Sequence, residues 1–266
     1  MSSPWATRLD VATAAVRAAG AALMQLRGTI RGEEAAGGQL KTSTDLAAEG
    51  WVCGFLEGTF PGELFLAEER FERVGTPWPG ASSYWAVDAL DGTRSYVDGY
   101  DGFCVQVAYI DGGQPRVGVI GEPVTGAVYV AASGAGAWRL DDAGARELRA
   151  SSAVALVPGL RFVDSTTPSG PVGAIFQQVK GRFVECGSVG LKICRVAEDA
   201  ADVYAKQFNY KLWDVAPGEV LLREVGAVLT TYSGETIDYA GARTHFPNLV
   251  VARPDLATAI IGELQR

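Results

Sequence analysis

The chain has 266 residues, of which 48% are hydrophobic and 20% charged, a composition typical of a soluble globular protein with a large buried core. Asp and Glu outnumber Lys and Arg by 31 to 23, and the resulting net charge of −8 argues against polymeric nucleic acid as a partner. Small phosphorylated ligands stay possible, because bound cations can reverse the local electrostatic field.

Cysteine usage and the N-terminal residues bear on location. The four cysteines form no CxxC zinc pattern and are predicted to be reduced core residues. The first residues lack the layout of a signal peptide, and there is no uninterrupted apolar run of about 18 residues. The sequence therefore predicts a cytoplasmic protein without a membrane partner.

The first half of the chain, residues 1–150, predicts two helices followed by an antiparallel sheet. Apolar residues at three- and four-residue steps predict a helix from Pro4 to about Leu26, with Ser3 as its N-cap. A polar stretch at 31–44 precedes a second helix, predicted from Asp45 to near Gly58. Strand-like segments then predict a meander with strands at 84–87, 104–109, 117–120, 127–132 and 137–140.

The Gly-rich segment SGAGA at 133–137 superficially resembles a phosphate-binding loop. It lacks the Lys-Ser or Lys-Thr that would follow in such a loop, and no helix is predicted to begin there. The segment therefore predicts a hairpin turn between two strands.

The second half, residues 151–266, alternates strands and helices and predicts an α/β arrangement. Strands are predicted at 159–164, 183–186, 202–206, 227–232 and 249–252, and helices at 171–179, 190–201, 214–225 and 254–264. The boundary between the halves is predicted near residues 145–155, with catalytic groups supplied from both sides.

The segment WAVDALDGTRSYVDG at 85–99 carries the most chemical information. Asp88 and Asp91 follow a buried strand at a spacing that suits hard divalent cations, with the Leu90 carbonyl as a further oxygen ligand. Gly92 has no Cβ, so its N–H and that of Thr93 can approach an anion closely. Taken alone, the segment is equally consistent with a solvated turn in which Asp91 caps a helix.

Acidic residues elsewhere are ambiguous when taken singly. Glu68 and Glu69 end an apolar strand, where adjacent carboxylates are usually surface charge. Asp214 follows Trp213 at the start of an apolar helix, where a capping Asp is common.

Together these segments resemble the inositol monophosphatase superfamily of magnesium-dependent, lithium-sensitive phosphatases. The resemblance extends through most of the chain in the right order, with KTSTD at 41–45, AEE at 67–69, DALDGTRSYVDG at 88–99, GSVGLKICRVA at 187–197 and WDVAPGEVLLREVGA at 213–227. It implies a mixed α+β and α/β fold, a layered α-β-α-β-α sandwich. It also implies a homodimeric phosphoric monoester hydrolase that uses metal-activated water.

The resemblance also implies roles for individual residues. The expected ligands of two or three Mg²⁺ ions are Glu68, Asp88, the Leu90 carbonyl, Asp91 and Asp214. Asp45 is expected to orient the Thr93 hydroxyl, and this pair together with Glu68 forms the expected catalytic set. The amides of Gly92 and Thr93 would hold the phosphate.

Three departures from the family pattern put details of the site in doubt. Ala67 replaces a usual Gly, and Glu68 would be displaced if this turn required a positive φ. Ala89 replaces a usual Pro, which removes pre-organisation of the turn. Val225-Gly226-Ala227 stands where Ala-Gly-Gly is common. We expect an intact site with weaker metal binding.

Substrate choice is expected to depend on the second half. Gln207 stands seven residues before Asp214, where inositol phosphatases usually present a Glu to sugar hydroxyls. Ser188 and Lys192 resemble residues that hold a second phosphate in 3′(2′),5′-bisphosphate nucleotidases, and Lys206 and Lys211 lie near them in sequence.

Several substrates therefore stay open. An inositol or similar polyol monophosphate is favoured over 3′-phosphoadenosine 5′-phosphate, and fructose 1,6-bisphosphate or another sugar phosphate is a further alternative. A hypothesis of another class is a non-catalytic regulator that binds phosphorylated ligands.

Overall fold

The computed structural model of the chain describes residues 3–28, 33–34 and 40–266. Part of the predicted polar stretch at 31–44 therefore lies outside the described residues. The helices are α1 (Ala6–Leu26), α2 (Ser43–Thr59), α3 (Glu68–Val74), α4 (Thr93–Asp98), α5 (Gly170–Gln178), α6 (Val189–Ala197), α7 (Leu212–Glu224) and α8 (Pro254–Leu264). The strands are β1 (Glu33–Glu34), β2 (Leu40–Lys41), β3 (Phe65–Ala67), β4 (Tyr84–Asp91), β5 (Cys104–Asp111), β6 (Gln114–Glu122), β7 (Ala127–Ala132), β8 (Ala137–Asp141), β9 (Gly144–Glu147), β10 (Arg161–Asp164), β11 (Arg182–Glu185), β12 (Tyr204–Lys211), β13 (Val228–Thr230) and β14 (His245–Ala252).

Two sheets separate three layers of helices. The larger sheet has the order β3-β4-β5-β6-β7-β8-β9, in which β4 to β9 form an antiparallel meander and β3 lies parallel to β4 at the edge. The second sheet has the order β12-β14-β13, and a bridge between Phe162 and Val203 brings the pair β10-β11 beside it. Helices α1 and α2 cover the larger sheet, α6 and α7 lie between the sheets, and α5 and α8 cover the far side. This confirms the predicted α-β-α-β-α sandwich.

Alternating side chains explain how each sheet supports a helix layer on both faces. On β14, Leu249 and Val251 belong to the core shared with α6 and α7, whereas Val250 and Ala252 face α5 and α8. This is the two-residue period of a strand buried on both sides. The core between the sheets includes residues from both halves of the chain, and the division into residues 1–150 and 151–266 stays a prediction.

Three predicted helix starts are each displaced by two residues. The N-cap of α1 is Trp5 rather than Ser3, and α2 begins two residues early, after the N-cap Thr42. Helix α7 begins at Leu212, so Asp214 lies inside its first turn instead of preceding it. The segment at 133–137 forms the predicted hairpin turn between β7 and β8.

Among the described helices, α1 alone is long and apolar enough to cross a membrane by length and composition. A core helix of a soluble protein passes the same test. Val16, Ala19 and Leu23 of α1 are buried in one cluster with Val105 and Val119 of the larger sheet, so this helix is packed within the fold. All four cysteines are buried and free, as predicted.

Candidate active site

Three acidic side chains from distant parts of the chain converge at one point. Glu68 comes from the first turn of α3, Asp88 from β4 and Asp214 from the first turn of α7. One carboxylate oxygen of each lies within 4.8 Å of the others. All three line a cleft of about 320 Å³, together with Asp91, Leu90 and Thr93.

Asp91 lines the same cleft, and one of its carboxylate oxygens accepts hydrogen bonds from both halves of the chain. Its Oδ2 accepts hydrogen bonds from the backbone N–H of Gly190 at 2.8 Å and from Gln106 Nε2 at 3.2 Å. Gln106 Nε2 also lies 3.5 Å from Asp88 Oδ2. The carboxylates of Asp88 and Asp91 are therefore held from β5 and from the start of α6.

The turn from β4 into α4 depends on glycine. Gly92 has a φ of +92°, which residues with a Cβ rarely adopt, and a Cβ there would lie 2.6 Å from the carbonyl oxygen of Gly102. The ladder to β5 is irregular between Asp88 and Asp91. Gly92 and Thr93 consequently line the cleft beside the acids.

The predicted pairing of Thr93 with Asp45 is present and follows from a local capping motif. Asp45 Oδ2 accepts from the N–H and the hydroxyl of Thr42, both at 2.7 Å, in a capping box at the start of α2. This arrangement leaves Asp45 Oδ1 to accept from the Thr93 hydroxyl at 2.8 Å. Thr93 Oγ1 also lies 3.2 Å from the Leu90 carbonyl oxygen.

Crowding of the acids makes their ionised forms costly without counter-ions. Burial raises the pKa of Asp88 and of Asp214 well above its ordinary value, and neighbouring carboxylates raise it further. Burial also raises the pKa of Asp91, although the Gly190 amide and Lys192 oppose the shift. An all-oxygen set of crowded carboxylates is chemically suited to hard divalent cations such as Mg²⁺.

Glu49 of α2 supports the helix that carries Glu68. Its carboxylate is almost fully buried and accepts from the N–H groups of Glu69 at 2.6 Å and Arg70 at 3.0 Å. Burial raises the pKa of Glu49 to about 7, against the opposing effect of these two bonds. Glu49 therefore anchors the first turn of α3.

Replacing Glu49 by Gln is expected to lower the free energy of unfolding by about 1–3 kcal/mol, because the amide group cannot accept both hydrogen bonds. The pKa of the glutamate rises from 4.5 to about 7 on folding, so the wild type loses stability as pH rises from 4.5 to about 7. Denaturant titrations should thus show that the difference in the free energy of unfolding between the wild type and Glu49→Gln becomes smaller from pH 5 to pH 8. Glu57→Gln, at an exposed position of the same helix, should change stability little, and an equal loss in both variants would contradict the anchoring role.

Three lysines line the cleft, and each one faces an acid. Lys192 is nearly buried, with Nζ 2.8 Å from the Gly187 carbonyl oxygen and 3.6 Å from Asp164 Oδ1. Lys206 Nζ lies 2.8 Å from the same Asp164 oxygen.

The third lysine, Lys211, contacts the acidic cluster itself. Its Nζ donates to Glu68 Oε1 at 3.1 Å and to Glu72 Oε1 at 3.2 Å. Burial opposes the charge of Lys211, but the carboxylates of Glu68, Asp214 and Glu72 outweigh it and raise its pKa. Lys211 lies near the predicted second-phosphate residues in sequence, and in the structure its side chain contacts Glu68 and Glu72.

Two predicted substrate residues lie outside this cleft. Ser188 is buried as the N-cap of α6, where its hydroxyl accepts from the Leu191 N–H at 3.1 Å. Gln207 is exposed and lines a neighbouring depression of about 180 Å³, which Lys206 and Asp164 also line. Contact of Ser188 or Gln207 with substrate stays a prediction that their positions do not support.

The departures from the family pattern leave the local backbone intact. Ala67 has φ −114° and ψ 136°, an ordinary extended conformation, so no glycine is required before Glu68. Ala89 is buried within β4, and Gly226 supplies the positive φ after α7. The backbone at Ala67 therefore does not displace Glu68.

Sequence reasoning missed three supporting residues: Gln106, Glu49 and Asp164. Each is a buried polar residue within a strand or helix, at a position where an apolar side chain would fit the pattern. Such a break in the pattern is a usable signal, but it does not identify the partner.

Comparisons with known proteins identify the family and agree with the fold. A model of the inositol monophosphatase family matches residues 5–266. Inositol monophosphatase 3 of Solanum lycopersicum is 29% identical over 252 residues, which cover 90% of this chain and 91% of the relative. The Nus factor SuhB of Vibrio cholerae is 28% identical over 232 residues, covering 84% and 82%. The solved inositol monophosphatase of Anabaena (Nostoc) sp. PCC 7120 has a TM-score of 0.75 at 26% identity, covering 97% and 95%.

Proposed function

The chain belongs to the inositol monophosphatase family and is a phosphoric monoester hydrolase, and from this premise we propose that it hydrolyses an inositol monophosphate or a similar polyol monophosphate with the help of Mg²⁺. The observation that carries the proposal is the convergence of Glu68, Asp88 and Asp214 in a cleft that also contains the Thr93 and Asp45 pair.

We propose that two or three Mg²⁺ ions bind through Glu68, Asp88, Asp91, Asp214 and the Leu90 carbonyl. Ions held there would supply positive charge to the transferring phosphoryl oxygens and increase the acidity of a bound water. The all-oxygen donor set and the raised pKa of Asp88 and Asp214 support this proposal, because cations relieve the repulsion among the acids.

The chain's own residues would orient the reactants and move a proton. Asp45 accepts the hydrogen of the Thr93 hydroxyl, which leaves the lone pairs of Thr93 Oγ1 available to an attacking water. Thr93 Oγ1 would take a proton from the water and pass its own hydroxyl proton to Asp45. Asp45 would thus act as a general base through the Thr93 hydroxyl. The N–H groups of Gly92 and Thr93, at the start of α4, would hold the phosphate.

A single phosphate on the substrate is favoured by the charges around the cleft. Lys192 and Lys206 share Asp164, and Lys211 faces Glu68 and Glu72. Three lysines thus face three acids, so together they offer little excess positive charge to a second phosphate. A neutral polyol group beside one phosphate fits these surroundings better.

The test is a comparison of kcat/KM for inositol 1-phosphate, fructose 1,6-bisphosphate and 3′-phosphoadenosine 5′-phosphate, with and without Mg²⁺. We expect Mg²⁺-dependent release of phosphate, fastest from the inositol ester. A preference of more than tenfold for the nucleotide would reverse the proposed order.

The second candidate is a 3′(2′),5′-bisphosphate nucleotidase activity. It is favoured by Lys192 and Lys206, whose ammonium groups lie on the same side of the cleft around Asp164. If this activity dominates, Lys206→Met should weaken the nucleotide reaction and leave the inositol ester nearly unaffected. A non-catalytic regulator is less well supported, because every expected carboxylate and the Thr93 pair are present.

Mg²⁺ is expected to stabilise the protein more at pH 8 than at pH 5. The pKa values of Asp88, Asp91 and Asp214 are raised on folding, so without metal their ionisation removes stability as pH rises above the ordinary value of 3.8. At low pH, protons on these groups compete with the ion. At a Mg²⁺ concentration of about 100 Kd, the stabilisation near pH 8 should be about 2.7 kcal/mol.

Thermal unfolding with and without Mg²⁺, at constant ionic strength, checks this expectation. The rise in Tm at pH 8 should be roughly 5 °C or more, and that at pH 5 should be clearly smaller. Equal shifts at the two pH values would show that ion binding does not displace protons from the cluster.

We further propose that the protein acts in the cytoplasm as a homodimer, in line with the family resemblance. Light scattering supports the dimer if it gives twice the chain mass of 28.0 kDa. A mass equal to one chain would exclude it.

A further inference from the structure

Lys211 connects two of the proposed metal-binding carboxylates. Its backbone N–H donates to Asp214 Oδ2 at 2.8 Å, and its side-chain Nζ donates to Glu68 Oε1 at 3.1 Å. The same Nζ reaches Glu72 Oε1 at 3.2 Å. One residue thus fixes an acid through its backbone and places a positive charge on another through its side chain.

The ammonium group is well shielded from solvent. The Lys211 side chain is 6% exposed, against 17% for Glu68 and 31% for Glu72. The ring of Trp213 lies 5.7 Å from Nζ and adds a favourable cation–π contact. Because water and salt screen buried charges less than exposed ones, the charge of Lys211 acts more strongly on Glu68 than that of a surface lysine would.

The position of Lys211 differs from that of the other lysines in the cleft. Lys192 and Lys206 pair with Asp164, which is outside the converging triad. Among the lysines that line the described cleft, Lys211 is the one bonded to a member of that triad. Its charge therefore acts directly where divalent ions are proposed to bind.

We propose that Lys211 is a tethered cation that competes with Mg²⁺ for Glu68 and so sets the affinity of the cluster for its ions. The inference rests on the proposed function and adds a means of control to the same site. A Glu68 carboxylate that already shares its charge with an ammonium attracts a divalent ion less strongly. The ion bound through Glu68 is consequently the more readily exchanged one, and occupancy follows the Mg²⁺ concentration.

Calorimetric titration of the full chain with Mg²⁺, without substrate, tests the inference. Lys211→Met removes the charge at similar size and should tighten Mg²⁺ binding by about tenfold, since a like charge beside the ion is lost. Lys211→Arg keeps the charge and should bind as the wild type does. Lys180→Met, in the turn after α5, makes the same change far from the cleft and should also behave as wild type.

The sign of the effect separates this role from a merely structural one. Loss of a structural contact would loosen the site and weaken Mg²⁺ binding, so equal or weaker binding in Lys211→Met overturns the inference. Should that variant not fold, Lys211→Gln offers the same comparison, because its amide can still donate to Glu68 without a charge.

Failure of the inference can be distinguished from failure of the proposed function. If Lys211→Met binds Mg²⁺ more tightly but the wild type releases no phosphate from any ester, the inference is supported and the proposed function is wrong. If the wild type is an active phosphatase but Lys211→Met has unchanged Mg²⁺ affinity, the proposed function is supported and the inference is wrong. A wild type that binds no Mg²⁺ would overturn both.

Discussion

Asp91→Asn is expected to lower kcat/KM for the phosphatase reaction by about a thousandfold or more, because a bound ion would lose one carboxylate and with it several kcal/mol of transition-state stabilisation. The substitution preserves size, and an amide oxygen in the place of Oδ2 can still accept the hydrogen bonds that Gly190 and Gln106 now donate. Burial disfavours the charged form of Asp91, as its raised pKa indicates, so the variant should fold.

The measurement is phosphate release from inositol 1-phosphate at several Mg²⁺ concentrations, with Tm as a check of folding. Asp98→Asn is a matched control, since Asp98 is an exposed residue at the end of α4. We expect the control to retain wild-type activity. Turnover close to wild type in Asp91→Asn would refute the assignment of this residue to the site.

Thr93→Val is expected to lower kcat by about 10²- to 10⁴-fold, the range for loss of a positioned general base. Valine has nearly the shape of threonine but cannot relay a proton between water and Asp45, whose Oδ1 now accepts from the Thr93 hydroxyl. KM and Mg²⁺ affinity should change little, because the proposed metal-binding side chains are untouched. Thr93→Ser keeps the hydroxyl and should retain most of the activity.

The pairing with Asp45 provides a second check through non-additivity. Asp45→Asn should reduce kcat as well, and combining it with Thr93→Val should cost little more than either change alone, since the two residues act as a unit. Multiplicative losses in the double variant, or a Thr93→Val enzyme with undiminished kcat, would contradict the proposed proton relay. Asp45→Asn should also lower Tm, because Asp45 belongs to the capping box of α2.

Much of the fold follows from local pattern. The final helix is predicted at 254–264 and observed at Pro254–Leu264, and all five predicted strands of the meander are present, four of them longer than predicted. Periodicity identified these elements because each depends on neighbours a few residues apart. The apolar strand predicted before Glu68 is present as β3, whereas β9 was not predicted, since its four residues carry too little periodic signal.

The candidate site was predictable where a motif is contiguous. The order of residues 88–93 fixes the spacing of Asp88, Asp91 and Thr93, and the capping box of α2 turns Asp45 toward Thr93. The partners of the lysines could not be predicted in this way. Lys211 and Glu68 lie 143 residues apart, and their contact exists only because α3 and the end of β12 meet at the cleft.

For Ser188, the sequence predicted the secondary structure around the residue but not the role of its hydroxyl group. The sequence places it just before α6, where a hydroxyl suits both a ligand and a helix cap. The packing of α6 against β5 buries the hydroxyl, so it caps the helix. The burial of a side chain depends on which helices and strands pack together, and this packing cannot be predicted from one segment of the sequence.

The amino-acid sequence by itself determined most of the helices and strands, because periodicity and turn chemistry are local properties, and its ordered motifs identified the family. The acids of the cleft were assigned through the resemblance to that family. Only the tertiary structure decided that Lys211 neutralises Glu68, that Gln106 holds Asp88 and Asp91, and that Glu49 anchors α3. These contacts join residues distant in sequence, so they arise from how the layers pack, and electrostatic interactions follow distance in space rather than separation along the chain.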